Sequence, residues 1–300
     1  MLLKDFLRDG EKALEGLYPA AEARSIMLML CEAIVGTKSY THIIEPSFTI
    51  PHKDESTLLE ALRRLSEGEP VQYVIGRTDF CGNSFRVTPD VLIPRPETEI
   101  LCREAIRTGS RMSASRSAFG KAAQPVRILD LCTGSGCIAW TMALNIPRCR
   151  VLGVDISDAA LEVARSQTFP GSAPGPDFRP PVFMKADVLD PGTVFDGGPF
   201  DLILSNPPYV MDSQKAQMRP NVLENEPHLA LFVPDDDPLK FYRSIAAISH
   251  EYLAEGGEGL TEINDLLGKE TSEVFSAAGF SRVSLLKDLF GRNRFVSYAR

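Results

Sequence analysis

The chain has 300 residues, 44% of them hydrophobic, with a formal net charge of −8, which allows one large domain or two unequal ones around a sizeable core. No lysine- or arginine-rich run offers a phosphate track, which argues against a protein that grips long stretches of nucleic acid. Met1-Leu2-Leu3-Lys4-Asp5 leads into mixed polar and apolar sequence, and no apolar run reaches signal-peptide or membrane length, so a cytoplasmic protein with no membrane partner is expected.

Residues 1–68 carry apolar positions at spacings of three and four: Leu3, Phe6 and Leu7, then Ile26, Met27, Leu30 and Ile34, then Leu58, Leu59, Leu62 and Leu65. That period predicts a small helical module, ended by Gly68 and Pro70 and read as a recognition domain. Val71, Tyr73 and Ile75 then alternate, and Phe85-Arg86-Val87 follows Cys81-Gly82-Asn83, which predicts a β-hairpin across residues 71–87. Beyond it, Pro94 and Pro96 stiffen Leu92-Ile93-Pro94-Arg95-Pro96-Glu97-Thr98-Glu99, and Pro96 opens a helix through Arg107. An arginine between two prolines is held in place. The residues alone leave a site role and a plain connector equally open.

Residues 108–124 have no apolar period and predict a surface loop with solvated basic side chains. Val126-Arg127-Ile128-Leu129-Asp130-Leu131 predicts a buried strand; Cys132-Thr133-Gly134-Ser135-Gly136 is a glycine turn, and a helix follows over 137–144. This is the first half of a nucleotide-binding βαβ unit. A second strand, Val151-Leu152-Gly153-Val154-Asp155, ends in a carboxylate about twenty residues past the glycine turn, placed to accept two ribose hydroxyls. Helix 157–166 comes next, capped by Ser157-Asp158. Residues 169–181 are rich in proline and glycine and predict irregular chain; the strand at 182–187 then ends in Asp187, an acceptor for an adenine amino group.

Phe200-Asp201-Leu202-Ile203-Leu204-Ser205 predicts a buried strand that Asn206-Pro207-Pro208-Tyr209 cuts short, because neither proline can continue a ladder. The elbow suits a planar NH2 group: Asn206 Oδ1 and the Pro207 carbonyl accept its two hydrogens, and the Tyr209 ring lies against it. Asp235-Asp236-Asp237 reads as a solvated loop, helices are expected at 238–253 and 267–278, and strands at 258–263, near Val283 and at 295–298, with Gly256-Gly257 as a turn. The six cysteines form no C-x-x-C pair and the four histidines no metal-binding array, so free thiols and no metal site are expected. With Ala139 at the third position of the glycine fingerprint, a dinucleotide remains open; two acids and one glycine loop equally suit S-adenosylmethionine.

These motifs together resemble the class I methyltransferases that carry Asn-Pro-Pro-Tyr, and more narrowly the release factor glutamine methyltransferase family. Pro70-Val71-Gln72-Tyr73-Val74-Ile75-Gly76, the stretch from Leu92 to Glu99, Asp130 to Gly136 and Ser205 to Val210 carry the narrower resemblance. Glu226-Pro227-His228-Leu229-Ala230-Leu231, Phe241-Tyr242-Arg243, Ala278-Gly279-Phe280 and Asp288-Leu289-Phe290-Gly291-Arg292 extend it over nearly the whole chain. It implies an α/β fold: a seven-stranded Rossmann-like methyltransferase domain at 96–300, preceded by a helical domain at 1–68 and a hairpin and linker at 69–95. It further implies S-adenosylmethionine, with S-adenosylhomocysteine as product, held by Cys132, Thr133, Gly134, Ser135, Gly136, Asp155, Asp187, Val188 and Asn206. The glutamine of a peptide chain release factor would meet Asn206, Pro207, Pro208 and Tyr209, which carry the catalysis, with Leu92 and Arg95 beside it. A monomer with no stable nucleic-acid partner is expected. The sequence departs from the family's habit at Cys132 and Asn264, where glycine is usual, at Val188, where some members have an aromatic ring, and in the longer 169–181 stretch. Two other readings share the elbow or the loop: a methyltransferase acting on nucleic-acid amino groups, and a cofactor-binding protein with no catalysis.

Overall fold

A computed structural model describes residues 1–118, 124–170, 175 and 177–300. The chain divides into two compact units: residues 1–77 with 218–225, and residues 78–217 with 226–300.

The first unit is helical. Helices α1 (Leu3–Ala13), α2 (Ala20–Val35), α3 (Thr41–Ile44), α4 (His52–Ser66) and α5 (Val71–Ile75) enclose a core that includes Phe6, Leu7, Met27, Leu30, Leu58 and Leu65. Helix α5 corrects the sequence expectation, which ran a strand from Val71. Pro70 precedes the helix and Gly76 closes it in the left-handed region at φ 78°. Val71, Val74 and Ile75 then pack on the helical core at helical spacing. An alternation three residues long cannot be told from one short helical turn until its caps are weighed.

The hairpin itself starts later, with β1 (Arg77–Phe80) and β2 (Asn83–Arg86). Cys81 and Gly82 both have positive φ, 48° and 76°, as a two-residue turn matched to the strand twist requires. Phe80 and Phe85 meet edge to face at 5.9 Å within the core of the second unit.

Helix α6 runs over Thr98–Ala118, so residues 108–118 are helical where a loop was expected; residues 119–123 of that expected loop lie outside the described residues. The helix has no broad apolar stripe because other contacts hold its second half. Gly109 is buried so closely that a Cβ there would lie 2.6 Å from Ile146 Cδ1. Arg111 pairs with Glu258 at 2.7 Å, and Arg116 reaches Asp201 at 2.5 Å and the Pro125 carbonyl. Small residues and long-range ion pairs leave no hydrophobic period to read.

The remaining elements are β3 (Val126–Leu131), α7 (Cys137–Asn145), β4 (Cys149–Asp155), α8 (Asp158–Arg165), β5 (Val182–Lys185), β6 (Phe200–Ser205) and β7 (Val210–Met211). They continue with α9 (Pro220–Asn225), which belongs to the helical unit, then β8 (Phe232–Val233), α10 (Lys240–Tyr252), β9 (Leu253–Glu262), α11 (Gly268–Ala277), β10 (Ser281–Lys287) and β11 (Asn293–Ala299). Seven strands form one sheet in the order β10-β11-β9-β6-β3-β4-β5. Strands β5, β4, β3, β6 and β9 are mutually parallel, and β11 is antiparallel to both its neighbours. Counted along the chain within this sheet, the order is 3-2-1-4-5-7-6. Gly256-Gly257 is not the turn before a strand that the sequence suggests: it lies inside β9 at an irregularity where the β6 partner moves from Leu253 to Glu258, with Gly256 at φ 72°.

Buried strands β3 and β6 explain their near-continuous apolar sequences, since helices cover both faces of a parallel sheet. The chain leaves β3 toward β4 and β5 on one side and returns through β6 on the other, so strand order reverses between β3 and β6. A crevice opens at such a reversal, outside the carboxyl ends of the strands. Leu131 and Ser205, the last residues of those two strands, are register partners, and the Ser205 hydroxyl donates to the Leu131 carbonyl at 2.8 Å.

Candidate active site

The glycine turn after β3 and the Asn-Pro-Pro-Tyr elbow after β6 therefore emerge side by side. A cavity of about 250 Å³ lies above them. Of the residues singled out from sequence, Leu92, Arg95, Cys132, Thr133, Gly134, Ser135, Asp155, Asp187, Val188, Asn206 and Pro208 line it; Gly136, Pro207 and Tyr209 do not.

At one end the walls are backbone and carboxylate. Cys132 has φ 61° and Gly134 φ 53°, both in the left-handed region, which is easy for the glycine and strained for the cysteine. The Thr133 N–H donates to the Val154 carbonyl at 2.9 Å and the Gly134 N–H to Asp155 Oδ2 at 2.8 Å, while Asp155 Oδ1 accepts from Ser157 N–H at 3.0 Å. Both carboxylate oxygens of Asp155 are thus steadied by backbone N–H groups. Burial pushes the Asp155 carboxyl up, against those bonds. Asp187 closes a turn by accepting from Leu189 N–H at 2.8 Å. Ile156, Val188 and Phe241 supply apolar wall between the polar groups. Gly136 stands behind the turn, at φ 78°, and caps α7.

Asp130, for which the sequence suggests no individual role, lies beneath this turn and is fully buried. Its Oδ2 accepts from the Thr133 hydroxyl at 2.6 Å and the Ala139 N–H at 3.1 Å, while Oδ1 has no hydrogen-bond partner among the described residues. Burial pushes its carboxyl up to about 7.

At the other end the walls are side chains drawn from distant parts of the chain. Asn206 Nδ2 donates to Thr98 Oγ1 at 3.1 Å, and the Thr98 hydroxyl donates to Glu262 Oε2 at 2.7 Å. The Tyr209 hydroxyl donates to Glu262 Oε1 at 2.9 Å. Glu262 is buried at the end of β9. Burial pushes its carboxyl up, opposed by the bonds from Thr98 and Tyr209 and by the charge of Arg294. Tyr209 thus anchors the elbow through its phenol, and its backbone carbonyl accepts from Asn264 Nδ2 at 2.9 Å. Asn264 also bonds Gln214 Oε1 and caps the short helix after it through Leu266 N–H. An asparagine at this position therefore clamps the elbow, a task no glycine performs.

The proline-bound Arg95 pairs with buried Glu226 at 2.6 Å, and Glu226 also accepts from Ile93 N–H at 3.2 Å. That pair fixes the cavity wall formed by Leu92 and Pro94 to the wall formed by Pro227 and Leu229. Thr98, Glu226 and Glu262 lack a signal in local pattern. Each is recognised only when the fold brings its partner from another strand or loop.

Asp235 of the acidic run is exposed and Asp237 half-buried, and both are paired. Asp235 accepts from the Ser213 N–H and hydroxyl, and Asp237 from Arg243. All six cysteines are free, among the described residues no cluster has the makings of a metal site, and no helix there is long and apolar enough to cross a membrane.

The sheet order with its reversed seventh strand, a glycine turn at the first strand and Asn-Pro-Pro-Tyr at the fourth define a class I S-adenosylmethionine-dependent methyltransferase domain. The methyltransferase small domain family matches residues 97–227 and the PrmC N-terminal domain family residues 5–76. Among curated relatives, the release factor glutamine methyltransferase of Bacteroides thetaiotaomicron is 35% identical over 96% of this chain and 97% of its own. That of Flavobacterium psychrophilum is 36% identical over 99% and 98%. The solved structure of the hMettl16 catalytic domain superposes with a TM-score of 0.50 at 13% identity, over 82% of this chain and 81% of that one, a likeness of fold. The chain belongs to the release factor glutamine methyltransferase family.

Proposed function

We propose that this chain transfers the methyl group of S-adenosylmethionine to the side-chain amide nitrogen of the glutamine in the Gly-Gly-Gln motif of peptide chain release factors, leaving S-adenosylhomocysteine. One observation carries the reading beyond family membership: the Asn206 carboxamide shares a cavity wall with the glycine turn, so an acceptor for a planar NH2 group faces the cofactor end at short range. The residues suit the cofactor. The Asp155 carboxylate, which lines the cavity, suits two ribose hydroxyls, the Thr133–Ser135 turn suits the amino-acid tail, and Val188 and Asp187 suit an adenine ring and its amino group. When bound, S-adenosylmethionine supplies a methyl on a positively charged sulfur, open to a nucleophile.

An amide nitrogen is a poor nucleophile because its lone pair is delocalised into the carbonyl. In this reading Asn206 Oδ1 accepts an N–H group of the glutamine, aims the nitrogen along the line of attack and favours the positive charge that grows on it, while Pro207, outside the cavity lining, stiffens the backbone that carries Asn206. Fixing that alignment before reaction removes much of the entropic barrier. No general base is needed, since the proton leaves to water once the nitrogen has become acidic. Pro208 stiffens the elbow, Tyr209 anchors it through Glu262, and Leu92 and Arg95 shape the entry. The chain is taken as a cytoplasmic monomer without a membrane or stable nucleic-acid partner, in keeping with its net charge of −8.

The test is to incubate the protein with methyl-labelled S-adenosylmethionine and, separately, a release factor, bulk DNA and bulk RNA. Label is expected on the release factor alone. Label on a nucleic acid and none on the factor overturns the reading in favour of a base amino group.

A further inference from the structure

Asn206 serves as an acceptor only if its amide is turned the right way, with oxygen toward the substrate and NH2 away from it. The two corners of a carboxamide have the same shape, so packing cannot choose between them; only hydrogen-bond polarity can. The choice is made two steps away. Glu262, 1% exposed, is surrounded by donors: the Tyr209 phenol holds one oxygen at 2.9 Å and the Thr98 hydroxyl holds the other at 2.7 Å. A hydroxyl has one hydrogen. Since Thr98, 2% exposed, gives its hydrogen to the carboxylate, it faces Asn206 only with a lone pair, and so the corner of Asn206 that meets it at 3.1 Å must be the NH2. Oδ1 is left as the corner available to the cavity.

We propose that Thr98 and Glu262 are positioning residues that set the polarity of the substrate site: the carboxylate commits the Thr98 hydrogen, the committed hydroxyl orients the Asn206 amide, and the site thereby reads an N–H donor and turns away an acceptor. The chain of bonds runs from the end of β9, through the first residue of α6, to the end of β6, and none of its members needs to touch substrate except Asn206. A side chain of the same shape as glutamine but with acceptors only, such as glutamate, then faces acceptor against acceptor. The inference rests on the proposed reaction and assigns how its specificity is built.

The test compares the full-length protein with Thr98→Ser, which keeps the hydroxyl, Thr98→Val, which keeps the shape and loses it, Asn206→Ala, and the double variant Asn206→Ala with Thr98→Val. Rates of methyl transfer to a release factor, cofactor affinity by calorimetry and melting temperatures are measured for each. Thr98→Val is expected to lower kcat about tenfold, the effect of one buried hydrogen bond, with cofactor affinity within about twofold; Thr98→Ser stays near wild type. Because Thr98 acts through Asn206, Thr98→Val is expected to cost nothing more in the Asn206→Ala background. A second readout is inhibition by a release factor whose Gly-Gly-Gln glutamine is changed to glutamate: weak with the wild-type protein, and closer to that of the glutamine substrate with Thr98→Val. A purely structural Thr98 would leave that ratio unmoved. Wild-type turnover in Thr98→Val, or a full tenfold loss repeated in the double variant, overturns the proposal and spares the proposed reaction. A wild-type protein that methylates no release factor overturns the reaction and the proposal with it.

Discussion

The two ends of the cavity are made in different ways. The cofactor end is local: the Gly134 N–H of the turn between β3 and α7 meets the Asp155 carboxylate at the end of the neighbouring strand, and the Ser157 N–H just beyond that strand holds its other oxygen. The elbow end is assembled from a distance: Asn206, Thr98, Glu262, Tyr209 and Asn264 come from β6, α6, β9 and the loops beside them, and their bonds are between side chains or reach from side chain to backbone. A turn that holds a cofactor common to many reactions can be set by backbone geometry, which many sequences share. The acceptor site must fix the direction of each hydrogen bond, and side chains with one-way donors and acceptors are what fix direction.

If the two ends are separate devices, single substitutions should split their effects. The largest is expected from Asn206→Ala: kcat on a release factor falls roughly 100- to 1,000-fold, as when one preorganised polar contact to the reacting group is removed. Its affinity for S-adenosylmethionine, measured by calorimetry, stays within about threefold. Asp155→Ala should give the converse, weakening cofactor affinity roughly 10- to 100-fold by losing charge-assisted bonds, while kcat at saturating cofactor falls only a few-fold. Unchanged cofactor titration in Asp155→Ala, or equal loss of both quantities in both variants, would dissolve the distinction.

The smallest effect sharpens the comparison beneath the cofactor end. Burial lifts the Asp130 carboxyl to about 7. A carboxyl raised on folding favours the folded state below its unfolded value and loses that contribution as pH rises through its folded value. Asp130→Asn carries no such charge, so its melting temperature relative to wild type should climb between pH 5.5 and 8.5, by roughly 2–4 °C. A constant difference across that range would place the charge elsewhere.

How much of this was visible in the sequence follows the same division. The strands before Cys132, Asp155 and Asn206 stand out in the sequence, because a parallel strand buried on both faces is near-continuously apolar and must stop where its loop begins. The glycine turn and the following carboxylate were legible for the same reason, since both lie at strand ends and need no partner to be noticed. Helix α6 is hidden past Arg107: Gly109, Arg111 and Arg116 signal a loop by composition, and only Ile146, Glu258 and Asp201 make them helix. At residues 71–75 a short alternation hides a one-turn helix between Pro70 and Gly76. Asn264 looked like a departure and proves to be a clamp. Thr98 and Glu262 were in view as letters, yet the link between them spans most of the chain and has no periodic trace.

The most direct test of the central claim is to locate the added methyl by fragmentation mass spectrometry of a release factor treated with the protein and S-adenosylmethionine. The account predicts a single methyl on the side-chain nitrogen of the Gly-Gly-Gln glutamine, absent when Asn206→Ala replaces the wild-type protein over the same interval. A methyl on any other residue, or an equal yield at that glutamine from Asn206→Ala, would contradict it.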